Sequence, residues 1–159
     1  MQVKSRHHLR SDAISELQDQ LAKSFGSKVT GDSFELVELS ESAFDIVLVD
    51  GEKLIAKLDD EPFLTVQGAN AFPPTESVVT VDAGAVSFVS NGADVMRPGI
   101  VEVDEGIEPD DLVAIAEETH SKVLAIGRAT EPSDEMLGEE GKVVESIHYV
   151  GDELFEFSV

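Results

Sequence analysis

Four histidines and 33 carboxylates are the residues of this 159-residue chain that could do acid–base or metal chemistry. Their spacing does not suit it. His7 and His8 stand together in a basic opening segment, His120 lies in a Thr-His-Ser-Lys turn, and His148 falls in an apolar run beside Tyr149. No histidine has a second one at i+4, the spacing that would put two imidazoles on one helix face for a metal ion. Asp59-Asp60, Asp110-Asp111 and Glu139-Glu140 are paired carboxylates, but a chain this acidic brings such pairs together without a catalytic reason. Cysteine is absent, which excludes disulfides, thiolate ligands and a cysteine nucleophile. No serine sits in a nucleophile elbow, and no glycine-rich turn ends in Lys-Ser or Lys-Thr. The expectation is a protein without catalysis, metal or cofactor.

One segment has the residues for recognition. Residues 79–100, VTVDAGAVSFVSNGADVMRPGI, read as a strand, a short helix capped by Asp82, a glycine terminator and a Pro-Gly turn. Gly92 frees the chain for a left-handed conformation, and Arg97-Pro98-Gly99 turns it into the next strand. A glycine-bordered loop admits a phosphodiester backbone without Cβ clashes, and an arginine can pair with phosphate through two donors. Arg97 is expected to point outwards with exposed backbone amides nearby. A plain helix-to-strand connection fits the same residues.

The elements that position this loop follow from periodicity. Ser11 is a good N-cap, and Ile14, Leu17, Leu21 and Phe25 form one apolar stripe on a helix ending at Gly26. Strands are expected at Phe34–Leu39, Phe44–Val49 and Leu54–Leu58, the last two joined by an Asp50-Gly51 hairpin turn. Phe63–Val66 is a fourth short run, and QGANAFPPTES after it reads as a linker. The second half supplies strands at Val78–Val81, Ile100–Val103, Leu112–Ala116, Val123–Ala129, Val143–Tyr149 and Leu154–Phe157. It also has a helix from Asp82 to Asn91 and one helical turn at Ser133–Leu137. The fold class is therefore α+β: a small N-terminal α/β domain, residues 1–76, then a small closed or nearly closed β-barrel, residues 77–159.

Eleven Lys and Arg against 33 acids leave a formal charge of −22. The acids are spread, with 10 in residues 29–75 and 20 in residues 76–159. Self-repulsion of this size destabilises a folded chain in dilute salt and largely vanishes in ~1 M salt, where the Debye length is ~3 Å. A halophilic cytoplasm is the expected setting, with an ordinary acidic mesophilic protein as the alternative, and in the halophilic case a low isoelectric point does not exclude a nucleic-acid partner. No apolar run approaches a membrane span, and no apolar signal core follows the first residues. The one basic stretch holds Lys4, Arg6 and Arg10 in an N-terminal arm, expected to be mobile and either to meet an anionic partner or to anchor the edge of the first domain.

VTVDAGAVSFVSNGADVMRPGIVEVD, the strand VLAIGRA and the closing HYVGDELFEF resemble, in order and spacing, the PUA domain, named after pseudouridine synthases and archaeosine transglycosylases. The N-terminal half is similar to that of archaeal stand-alone PUA proteins, relatives of the malignant T-cell amplified sequence family of translation factors. The resemblance implies a PUA-type pseudobarrel and an RNA-binding adaptor without catalysis. It places RNA contacts at Gly92, Ala93, Asp94, Val95, Met96, Arg97, Pro98 and Gly99, with Arg128 as a further candidate in the matching strand. It implies a tRNA or rRNA ligand, the small ribosomal subunit and a second translation-factor protein as partners, with a monomeric chain acting in initiation, reinitiation or recycling. An accessory of an RNA-modification enzyme, or a protein–protein module without RNA, are the alternatives.

Overall fold

A computed structural model describes residues 1–159. The chain builds two sheets. The first runs β1 (Gln2–His8), β2 (Phe34–Ser40), β3 (Phe44–Val49), β4 (Glu52–Leu58) and β5 (Glu61–Leu64) as an antiparallel meander in that spatial order. Helix α1 (Ser11–Phe25) buries Leu17, Leu21 and Phe25 against this sheet and ends at Gly26 in the left-handed conformation. Arg10, not Ser11, occupies the N-cap position, and no side chain caps the helix. Ser11 is its first helical residue.

The basic N-terminus is a strand and not a mobile arm. β1 pairs with β2 along its length, from Gln2 opposite Ser40 to His8 opposite Glu35, with a bulge at Lys4. Its side chains are almost all exposed, so main-chain hydrogen bonds hold it and no apolar alternation marks it in the sequence. Arg6 donates two hydrogen bonds to the Glu35 carboxylate, at 3.0 and 2.9 Å, and holds that carboxyl below the usual range.

The stretch read as a linker begins with helix α2 (Val66–Ala71). Thr65 caps it by accepting the Gly68 N–H and donating its own hydroxyl to the Lys53 carbonyl. At six residues, with glycine and asparagine inside, α2 has no helical periodicity to read. Contacts to both sheets hold it.

The second sheet has the spatial order β7, β11, β10, β9, β6, β8: β6 (Val78–Val81), β7 (Val95–Met96), β8 (Ile100–Val103), β9 (Leu112–Glu117), β10 (Val123–Ala129) and β11 (Lys142–Tyr149). All neighbours are antiparallel except β6 and β9. The sheet curls into a nearly closed pseudobarrel around Val79, Val81, Val113, Ile115, Val143 and Val144. Alternation along β9 sends Val113 and Ile115 into the barrel, while Leu112, Ala114 and Ala116 pack with α1 and the first sheet. Both faces are buried, which is why β9 reads as an unbroken apolar run.

The chain closes with helix α4 (Glu153–Glu156), where the sequence suggested a strand. A four-residue LFEF fits one helical turn as well as a strand, and Asp152 decides it by capping the Phe155 N–H at 2.8 Å. No helix is long and apolar enough to cross a membrane.

Candidate nucleic-acid interface

Asp82 accepts the Ala85 N–H at 3.0 Å and starts helix α3 (Ala83–Val89), shorter than the expected helix to Asn91. The chain then folds back on itself. The amides of Asn91 and Ala93 donate to the Phe88 carbonyl, and that of Gly92 donates to Val89. These N–H groups face inwards and are not the exposed amides the sequence suggested. Gly92 takes a φ of +89°, and a Cβ there would lie 2.7 Å from the Tyr149 ring. Glycine at 92 is thus required twice, by its conformation and by the close approach of β11.

The expected contact residues divide by environment. Val95 is buried in the barrel, and Asp94 accepts the Ser146 N–H at 2.9 Å. Ala93 and Pro98 are exposed, and Gly99 is half-buried against Ala85. Met96 is 48% exposed, and across from it Phe88, on α3, is 67% exposed. Between them lies a groove of about 470 Å³ lined by Gly84, Ala85, Phe88, Met96, Pro98 and Gly99 among others, with Asp82 and Asp94 as its charged residues. Two large uncovered apolar side chains on a surface this acidic make a face suited to stacking and van der Waals contact. Phe88 escaped the sequence reading. Its place on a short helix gives it no periodic stripe to violate.

Arg97 does not point freely outwards. It opens a single 3-10 turn at Arg97–Gly99, and its guanidinium turns back to the carbonyls of Glu135, at 2.8 Å from Nε, and Glu140, at 3.0 Å from Nη1. Arg128 is likewise engaged, with Nη1 on the Asp110 carbonyl and Nη2 on the Glu61 carboxylate at 2.8 and 2.9 Å. Glu61 belongs to β5, so Arg128 ties the barrel to the first sheet. Of the N-terminal cations, Arg6 is spent on Glu35 and Arg10 lies 3.8 Å from Asp12, while Lys4 has no acidic partner. No lysine or arginine lines the groove, so it offers little electrostatic attraction to phosphate.

The groove is anchored to the first sheet through the far end of β11. His148 is 1% exposed. Its Nε2 accepts the Val66 N–H at 3.1 Å, which leaves the proton on Nδ1 to be donated to Asp152 at 2.9 Å. Burial pushes the Asp152 carboxyl up, but His148 and the amides of Phe155 and Tyr149 outweigh it and hold the group below the ordinary carboxylate range. Asn70 of α2 grips Val123 through both its amide atoms, at 3.0 and 2.9 Å. Lys53 of β4 donates to the carbonyls of Leu154, Phe155 and Phe157 at the end of α4. Burial lowers its pKa, against the pull of Glu156 and Asp152. Tyr149, next to His148, is the residue that Gly92 packs on, so one strand end serves both the junction and the loop.

Comparison with known proteins agrees with this architecture. The PUA domain family model matches residues 77–150. A protein of Methanocaldococcus jannaschii is 41% identical over 72% of this chain and 71% of its own. Translation machinery-associated protein 20 of Saccharomyces cerevisiae is 33% identical over 75% of this chain and 70% of its own. Among solved structures, a conserved PUA domain protein from Thermoplasma acidophilum superposes with a TM-score of 0.83 at 27% identity, covering 95% of this chain and 97% of that one. The chain belongs to the family of PUA-domain proteins that includes translation machinery-associated protein 20 and the malignant T-cell-amplified sequence proteins.

Proposed function

We propose that this protein is a non-catalytic RNA-binding adaptor of translation. It binds the small ribosomal subunit and a tRNA acceptor end during initiation, reinitiation or recycling. In this reading the unit 77–159 carries the RNA face, and the unit 1–76 supplies a ribosomal contact through the basic edge strand, with Lys4 and Arg10 facing rRNA. The observation that carries the proposal is the groove between α3 and the 92–99 loop. There Phe88 and Met96 stand uncovered on glycine-bordered backbone, in a domain whose fold is an RNA-binding one. The name of the yeast relative places that protein with the translation machinery.

The test has two parts. A native lysate is sedimented at molar KCl, and the protein is expected to travel with the small subunit. A tRNA acceptor-stem RNA is then titrated against the wild type, Phe88→Asp and Met96→Asp, both variants being expected to bind at least tenfold more weakly. Migration with an RNA-modifying enzyme in place of ribosomes overturns the translational role. Absence of RNA binding at every salt concentration overturns RNA recognition altogether.

A further inference from the structure

Arg97 is the only arginine or lysine between Lys57 and Lys122, and it stands between Met96 and Pro98, two residues that line the groove just described. Its surroundings are built around its shape. Nε and Nη1 donate to two main-chain carbonyls, of Glu135 and Glu140, and its own amide donates to the Gly141 carbonyl at 2.9 Å. A Cβ on Gly138 would lie 3.0 Å from the Arg97 Cδ, and one on Gly141 would lie 2.6 Å from Nη1. Both glycines have positive φ, +155° and +99°. Loop 135–141 therefore wraps the arginine closely on two sides. The loop holds three carboxylates, Glu135, Glu139 and Glu140, yet none of them pairs with the guanidinium. Carbonyl oxygens at fixed angles meet a planar fork of donors, an arrangement an ammonium does not reproduce.

We infer that Arg97 is a positioning residue for RNA binding and not a phosphate contact: its guanidinium splints the wall of the groove that bears Met96 and Pro98 to loop 135–141. The inference rests on the groove being the RNA site. A short β7 of two residues, paired only to the start of β11, leaves that wall with little regular structure of its own. Holding it rigid before RNA arrives spares the ordering that binding would otherwise require.

Salt dependence separates the two roles. A side chain that neutralises a phosphate contributes about 0.7 to the slope of log K against log salt for a single strand and about 0.9 for a duplex. A splint contributes nothing to that slope. Arg97→Lys, which keeps the charge, and Arg97→Gln, which removes it, are titrated with a tRNA acceptor-stem RNA at four KCl concentrations. Amide exchange of residues 136–141 is followed in the free proteins, after cooperative melting has established that each variant folds. The expected result is about a tenfold loss of affinity in both variants, slopes parallel to the wild type, and faster exchange in the loop. Wild-type affinity in Arg97→Lys, with a slope shallower by ~0.7–0.9 in Arg97→Gln, would assign a phosphate contact and overturn the inference. Unchanged loop exchange in both variants overturns it as well. If the wild type itself binds no RNA, the adaptor reading fails first, and the exchange data still report whether the clamp exists.

Discussion

Replacing His148 by phenylalanine keeps a ring of similar size against Phe63, whose centroid lies 6.5 Å away, and removes two hydrogen bonds. The Val66 N–H, at the buried N-terminus of α2, loses its acceptor, and an unsatisfied buried amide costs ~1–3 kcal/mol. Asp152 loses the imidazole but keeps the amides of Tyr149 and Phe155, so the charged bond is counted near the low end of its range, ~1.5 kcal/mol. The loss expected is therefore about 3 kcal/mol. Urea unfolding in molar KCl, followed by far-ultraviolet circular dichroism because tryptophan is absent, measures it. The pH dependence provides a second readout. Burial raises the Asp152 pKa and the hydrogen bonds lower it further than that, so the net folded value lies below the unfolded one. The stability it contributes is fully present above the ordinary carboxylate range and is lost as pH falls through the depressed folded value. His148→Phe removes the largest of the lowering interactions, so its acid limb should be flatter than that of the wild type. A variant within ~0.5 kcal/mol of the wild type, the scatter of ordinary surface substitutions, would refute the junction as drawn.

Gly92→Ala should lower stability by ~1–3 kcal/mol through its left-handed backbone and its clash with Tyr149, read as a lower melting temperature together with weaker RNA binding. The double variant Lys4→Glu/Arg10→Glu should reduce co-sedimentation with the small subunit and leave the melt unchanged; Arg6 is left intact because its reversal would set two carboxylates together at Glu35. Unaltered co-sedimentation removes the edge strand from the ribosomal contact. Lowering KCl from molar to ~50 mM stretches the Debye length beyond ~10 Å and should abolish cooperative melting of a chain carrying −22 charges. An unchanged melt there ends the halophilic reading.

What the sequence determined by itself was most of what has a local cause. The stripe Ile14, Leu17, Leu21, Phe25 marks a helix with one face to bury, and Asp50-Gly51 turns two apolar runs into a hairpin. Asp82, three residues before the amide it caps, starts α3 without help from elsewhere. The glycine-bordered loop was legible for the same reason. Other parts had no local signature. β1 is polar on nearly every side chain and forms because β2 offers a free edge. α2 is too short to persist alone and exists between His148 and Val123, its partners in the barrel. α4 does have a local cap in Asp152, but LFEF suits a strand equally, and the end of the turn is held by Lys53 about a hundred residues earlier in the chain. The arginines were most dependent on tertiary structure. Their residue type marks Arg97 and Arg128 as phosphate ligands, but the chain brings Glu135, Glu140 and Glu61 to them from 38, 43 and 67 residues away. A guanidinium binds whichever acceptor the fold presents, and only long-range packing determines whether that acceptor belongs to the protein or to its ligand.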